Sequence, residues 1–417
     1  MEGGGLLMND VIIIGGGIAG LSAAIHCRQR GLMVTVLERG AYPAHKICGE
    51  FLSPECLPML AAWGVIPSIA ITTVQLYARH AALTLPLPLP AGSMSRYVLD
   101  ASLAEVARQS GVTLHTNAQV DAVTHDAQHN IYDVTLADGS VMRASSLVIG
   151  AGRVAQLLLP RGATKAVRPD PSTHRAPSGW SERLRTVRPD GGAAGLQPRV
   201  SRGPNGGGRR FEWRGTNGQQ YVGIKAHFSA GSFPLDSVQF FITDVGYLGI
   251  SAVDATTVNV AALLSASFVH SYNNTDDAID AFISQPIMNR MRDYVQKEHC
   301  LFPQWLTCQV PAFGMRSYPV LKNIYYIGDA AGSIPPATGD GLALGLLTGA
   351  MVAPYVAAHD AQGFAHAWRQ QFSSVFKNGM ALHRLYQYPA ITALALRAAG
   401  CVPALSRAVF LKTRDTL

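Results

Sequence analysis

The sequence contains no run of the roughly eighteen uncharged apolar residues that a membrane-spanning helix requires, so nothing in it reads as a membrane span. Its first residues, Met1-Glu2-Gly3-Gly4-Gly5, lack the basic and apolar regions of a secretion signal, and a cytoplasmic location is expected. The six cysteines (Cys27, Cys48, Cys56, Cys300, Cys308 and Cys401) are scattered, with no Cys-x-x-Cys and no Cys/His ligand spacing. Reduced thiols are expected, with neither a disulfide framework nor a metal site. A surplus of acid is also missing, and a net charge of +7 suggests nucleic acid until the charge is located. Residues 153–214 hold thirteen of the 34 Lys and Arg but only four of the 27 Asp and Glu, so this segment carries +9 and the remainder −2. The rest of the chain is close to neutral, and no nucleic-acid partner is expected.

What is present is material for a large core: 417 residues, 48% of them hydrophobic, enough for two or so domains. Asp10 is followed by Val11-Ile12-Ile13-Ile14, which reads as a buried parallel strand. The strand runs into Gly-x-Gly-x-x-Gly (Gly15, Gly17, Gly20) and then into Leu21–Arg28, which reads as a helix. In this spacing the first glycine makes the tight turn, the second admits a pyrophosphate to the backbone, and the third packs helix on strand. The helix N-terminus then faces the phosphates. A second strand, Met33 to Leu37, ends in Glu38, eighteen residues beyond Gly20, where a carboxylate accepts hydrogen bonds from a ribose. Strand, glycines, helix, strand and acid together read as a dinucleotide-binding unit, with Arg39 adjoining it.

The expected architecture is α/β: a Rossmann-type nucleotide domain, a mixed or antiparallel sheet domain and a helical C-terminus. The nucleotide domain is assigned to residues 8–70, 96–160 and 311–355, and the second domain to 71–95 and 219–310. A helical region covers 356–417. Residues 161–218, rich in Arg, Pro and Gly, read as a disordered or irregular insertion. The Leu-Pro repeat of residues 85–90 cannot occupy a central strand. Arg96 precedes a helix over Ala101–Ser110 with Asp100 as N-cap. Strands are expected at Val141–Arg143 and at Ser146–Ile149, the latter entering the turn Gly150-Ala151-Gly152. Residues 275–297 read as helical. The apolar stretch Ile391–Phe410 reads as packed helices, with contact to a membrane surface as the alternative.

A second motif lies about three hundred residues after the first: Gly328-Asp329 at the end of a strand, then Pro335, Pro336, Gly339, Asp340, Gly341 and a small-residue helix from Leu342. An Asp at a strand's carboxyl end can accept hydrogen bonds from a polyol, and the helix N-terminus can stabilise negative charge on a reduced ring. With both motifs in place, the chain resembles the FAD-dependent oxidoreductases that include para-hydroxybenzoate hydroxylase-type aromatic monooxygenases and geranylgeranyl reductases. The resemblance covers most of residues 8–355 outside the insertion. It implies FAD bound by Gly15, Gly17, Ile18, Ala19, Gly20, Glu38, Arg39, Arg96, Gly152, Gly328, Asp329, Pro335, Gly339, Asp340, Gly341 and Leu342. NAD(P)H is implied as a transient reductant.

Departures from the family pattern bear on the reaction. Gly150-Ala151-Gly152-Arg153 lacks the Asp of the family's Gly-Ala-Asp-Gly. Cys48-Gly49 is similar to the reductase branch, but that branch's Tyr-x-Trp-x-Phe-Pro is replaced by Tyr247-Leu248-Gly249-Ile250-Ser251. The Trp-x-Trp-x-Ile-Pro of flavin halogenases is absent. The resemblance therefore implies first a monooxygenase acting through a C4a-hydroperoxyflavin, with O₂ and an aromatic or polyketide-like substrate. The alternative is a reductase of alkenes in an isoprenoid-like substrate, and a third reading is a flavin-binding homologue without turnover. Candidate catalytic residues are Cys48, Glu50, His227 and Tyr247. Cys48 could equally be a buried thiol, Glu50 a cap of the following helix, and Lys225, His227 and Tyr247 structural.

Overall fold

Val11, Ile12, Ile13 and Ile14 are all buried because their strand, Met8–Ile14, is paired on both edges and covered on both faces. It runs parallel to Val34–Leu37 on one side and to Val141–Ile149 on the other. Continuous burial, and not alternation, is what a parallel strand inside an α/β layer demands. The structure is a computed structural model that describes residues 8–152, 199–202, 209–212, 220–310, 313–317 and 320–401.

The nucleotide-domain sheet is seven-stranded, ordered 113–115, 34–37, 8–14, 141–149, 131–136 and 120–126, with 324–326 also on 141–149. The two strands expected around residue 145 are one, Val141–Ile149. Its first half pairs antiparallel with Tyr132–Thr135, and its second half pairs parallel with Ile324–Tyr326. One strand thus serves a meander and the nucleotide layer in succession.

Two helices lie against each other over this sheet, Ile18–Gln29 and Gly341–Ala357. They approach closely because small residues meet: a Cβ on Gly349 would fall 2.5 Å from the Ala19 carbonyl oxygen. The Ser22 hydroxyl donates across the seam to the Leu346 carbonyl at 2.7 Å. Both helices therefore start on the same side of the molecule.

The second sheet is eight-stranded, in the order 306–310, 221–229, 257–265, 246–252, 237–243, 69–78, 81–93 and 51–52. Every pairing is antiparallel except 237–243 with 69–78, as expected of a mixed sheet. The Leu-Pro repeat lies inside the strand Ala81–Ser93. It is tolerated because the register shifts there: Thr73 faces Pro86 and Ile71 faces Ala91, so residues 87–90 bulge out of the ladder. Helices Ala361–Tyr386 and Pro389–Cys401 follow, the second packed on strands 69–78 and 81–93.

Three expectations need correction. The helix after Ser95 is Arg96–Gln109, capped by the Ser95 hydroxyl on the Val98 N–H at 3.3 Å. Asp100 lies inside that helix as the i+4 partner of Arg96, not at its start. Residues 275–297 form a helix only over Thr275–Ile283, followed by a short 3₁₀ turn at Pro286–Arg290. Most of the insertion lies outside the described residues, but Arg199–Arg202 and Arg209–Glu212 pair as an antiparallel hairpin. Among the described residues no helix is long and apolar enough to cross a membrane.

Candidate functional site

Where the two sheets and the C-terminal helices meet, they enclose a cavity of about 1500 Å³. One end is built largely from backbone. Gly17 is the N-cap of the first helix, makes no side-chain cap, and has open space where a Cβ would be. The unsatisfied N–H groups of that turn face the cavity through Gly17, Ile18 and Ala19. Gly328, with φ +54, turns the chain so tightly that a Cβ would lie 2.8 Å from the Ala19 Cβ. Asp329, Gly339, Gly341 and Leu342 continue the wall, as do Arg39, Arg96 and Gly152. A phosphate-sized opening at one helix N-terminus and an acid plus a second helix N-terminus further along fit FAD.

Other motif residues stand behind the wall and shape it. A Cβ on Gly20 would meet the Gly15 carbonyl oxygen at 1.9 Å, and one on Gly15, where φ is +103, would meet Gly150 at 2.6 Å. Both glycines are packing requirements. Glu38 is buried beside Gly16, accepting the Gly16 N–H at 2.8 Å and the Gly40 N–H at 3.1 Å. Tyr42, unremarked in the sequence, closes over this corner by donating to the Gly16 carbonyl. Pro335 and Asp340 are buried next to the wall and do not line it.

Behind the flavin end sits a buried charged cluster. Glu50 is fully buried and holds φ +58, a left-handed backbone uncommon outside glycine. Its Oε1 accepts from the Lys225 ammonium and, at 2.6 Å, from the Arg96 N–H. Its Oε2 lies 2.8 Å from His227 Nε2. Glu50 thus caps the first turn of helix 96–109, not the helix that follows it in sequence. Burial works against the Glu50 charge, but the bonds from His227 and Lys225 outweigh it and hold the carboxyl below its usual range. For Lys225 burial wins and lowers the ammonium, with Glu50 opposing. Cys48 accepts the Glu50 N–H at 3.4 Å, and its carbonyl accepts from Asn259 at 3.1 Å.

Of the four candidate catalytic residues, Cys48, Glu50 and Tyr247 line the cavity and His227 does not. His227 stands behind Glu50, against Phe302 and the exposed His45. Lys225 is likewise off the wall. Tyr247 is buried and accepts the Ala337 N–H at 3.2 Å, a bond that ties the sheet to the Pro336–Thr338 turn. Beyond Tyr247 the cavity is apolar, with Leu76, Leu83, Phe240, Leu263, Leu385, Tyr386 and Leu396 on its wall. Next to that end His383 is buried, its Nε2 3.1 Å from the Tyr221 hydroxyl; burial and then the charge of Arg384 depress it to about 4. No short motif marks His383 or the apolar wall.

Residues 10–50 match the family model described as FAD dependent oxidoreductase. The chain is 23% identical over 395 residues to the menaquinone reductase of Mycolicibacterium smegmatis, covering 90% of this chain and 83% of that protein. Among solved structures, the flavin-dependent brominase Bmp2 superposes with a TM-score of 0.72 at 15% identity, over 99% of this chain and 95% of that one. A geranylgeranyl bacteriochlorophyll reductase-like protein from Thermoplasma acidophilum gives 0.63 at 16% identity, over 99% and 93%. At these identities the superpositions speak for the fold, which is the flavoprotein fold expected from the two glycine motifs. The match over residues 10–50 is the finding that speaks for FAD-dependent oxidoreductase chemistry.

Proposed function

We propose that this enzyme uses NAD(P)H-reduced FAD to reduce a carbon–carbon double bond in a long apolar substrate of the polyprenyl or prenyl-quinone class. The observation that carries this reading is the shape of the cavity. The flavin end and an extended, mainly apolar end are continuous past Tyr247, and the far wall of aliphatic and aromatic side chains, with Thr84, Thr307, Gln309 and Thr392 among them, offers no charged partner for a polar substrate. Similarity to a protein named menaquinone reductase over most of both chains supports the same class. The hydroxylase reading keeps the missing Tyr-x-Trp-x-Phe-Pro of the reductase branch at Tyr247–Ser251 and a 30% identity over 133 residues to a protein named as an FAD-dependent monooxygenase.

When bound, FAD supplies the hydride. The chain's own residues do the rest. The N–H groups at Gly17 to Ala19 would hold the pyrophosphate and Asp329 the ribityl chain, the helix from Gly341 would face the ring, and Glu38 steadies the Gly16 turn from behind the wall. NAD(P)H approaches the same cavity without a motif of its own. Addition of hydride to an alkene also needs a proton; Glu50, held as a carboxylate, can pass one on from the His227 side but does not store it. His227 lies on the side of exposed His45, and Glu50 lies on the wall. Tyr247 fixes the turn beneath the substrate, and Cys48 lies beside Glu50.

Anaerobic incubation of the reduced enzyme with a polyprenyl quinone tests this. The expected product is heavier by one H₂, with flavin reoxidised in step. Incorporation of a heavy-oxygen label from O₂ into a phenolic product, with no anaerobic turnover of alkenes, would establish the hydroxylase instead. Bound flavin that turns over neither class would indicate a homologue without catalysis.

A further inference from the structure

A second, smaller cavity of about 50 Å³ lies apart from the first, under helix 361–386 on the nucleotide domain. Its wall includes Arg316, Ile324, Phe364, Trp368 and Arg369, and no acidic side chain lines it. Arg316 is only 5% exposed and Trp368 only 4%. Both terminal nitrogens of the Arg316 guanidinium and the indole Nε1 of Trp368 are buried without a hydrogen-bond partner. Three donor atoms, two of them on a permanent cation, therefore open on one cavity with nothing to receive them. A second cation, Arg369, adjoins them and makes no ion pair among the described residues.

An unpaired buried guanidinium is among the costliest arrangements a protein can hold, because its hydration is lost and not replaced. Guanidinium cannot escape by losing its proton at any ordinary pH. The Tyr325 hydroxyl on this wall donates to the Tyr355 carbonyl at 2.9 Å, and no carboxylate on the wall supplies a charged acceptor. The room available suits one or two waters, about 30 Å³ each, or a monatomic anion, and is too small for a nucleotide.

We propose that Arg316 and Trp368 form a binding site for a small monovalent inorganic anion of halide size. The anion accepts from the guanidinium and the indole N–H and neutralises the buried charge, with Arg369 adding to the attraction. The site also has a structural consequence. The Arg316 backbone N–H donates to the Ala331 carbonyl at 2.8 Å, and Gly314–Met315 pairs with Gly332–Ser333 just after Gly328-Asp329. An anion here buttresses the turn that presents Asp329 to the main cavity. This site does not rest on the reductase reading and stands whichever substrate the large cavity takes.

The test uses the full chain with its flavin, moved from gluconate into chloride or bromide at constant ionic strength. The expected result is a saturable rise of roughly 2 °C in the thermal midpoint. Bromide should also give an anomalous scattering peak between Arg316 and Trp368. Trp368→Phe should raise the halide concentration at half-effect roughly tenfold, since one donor to a charged acceptor is lost. Arg316→Met should abolish the dependence. An unchanged halide response in both variants would overturn the proposal. So would water in the cavity of bromide crystals, or a bromide peak with no response in solution, meaning binding at crystal concentration only.

Discussion

The two ends of the large cavity are made by different means. The flavin end is made of turns: Gly15, Gly17, Gly20, Gly328 and Gly341 act through the absence of a side chain and through the N–H groups they expose. The far end is made of side chains such as Leu83, Leu263, Leu385 and Leu396, delivered by strands and helices far apart in sequence. Behind the flavin end lies the Glu50 cluster, made of charged side chains and belonging to neither kind of wall. At the backbone-built end Gly15, Gly20 and Gly328 leave no room for an added atom, whereas a side-chain-built end tolerates many substitutions of similar volume. The first specifies the cofactor, and the second sets what can lie beside it.

The sharpest way to break this contrast is Gly20→Ala. Its methyl would sit 1.9 Å from the Gly15 carbonyl oxygen, so helix and strand must separate, at a cost of roughly 3 kcal/mol or more. Flavin absorbance per chain should fall to background, and retention of full flavin would refute the packing role. An effect of comparable size is expected in the Glu50 cluster. Lys225→Met leaves the buried Glu50 carboxylate short of its cation and should cost about 3 kcal/mol in denaturant unfolding. Lys225→Met combined with Glu50→Gln should recover much of it; if the double variant is as unstable as the single, charge is not the cause.

At the far end His383 makes stability depend on pH. Its folded value is about 4 against 6.5 for a free imidazole. Between those values the unfolded chain takes up a proton that the folded chain refuses, so stability must fall as pH drops through that window. The loss amounts to about 3 kcal/mol across the range. His383→Phe should flatten that part of the profile, and an unchanged slope would place the titration elsewhere. The smallest effect is expected from narrowing the far end. Leu385→Trp should leave flavin content intact and raise KM for a long substrate about tenfold, while shortened substrates are little affected. An equal loss for short and long substrates would argue against an extended binding mode.

How much was legible depends on the range of each constraint. The dinucleotide turn was readable because its strand, glycines, helix and acid all fall within about thirty positions. The bulge that accommodates Pro88 and Pro90 was not readable, since it exists only through the register of strand 69–78 against 81–93. Asp100 looked like a cap because it precedes an Ala-rich stretch, and the Arg96–Asp100 bond at 2.6 Å shows why it lies within the helix instead. Arg316 and Trp368 carry no motif at all.

The sequence by itself determined the nucleotide fold, because glycine spacing and strand burial are local properties that few other structures satisfy. It also determined that Lys225 and His227 share a face, being two apart on a strand. Only the tertiary structure decided which face. In Tyr221–Ser229 every residue but the last is buried, so alternation carries no signal of inside and outside. Glu50, 175 residues earlier than Lys225, selects the face by supplying the one carboxylate both can reach. Charge pairing at that separation is set by the docking of residues 46–50 on strand 221–229, and no local pattern encodes it.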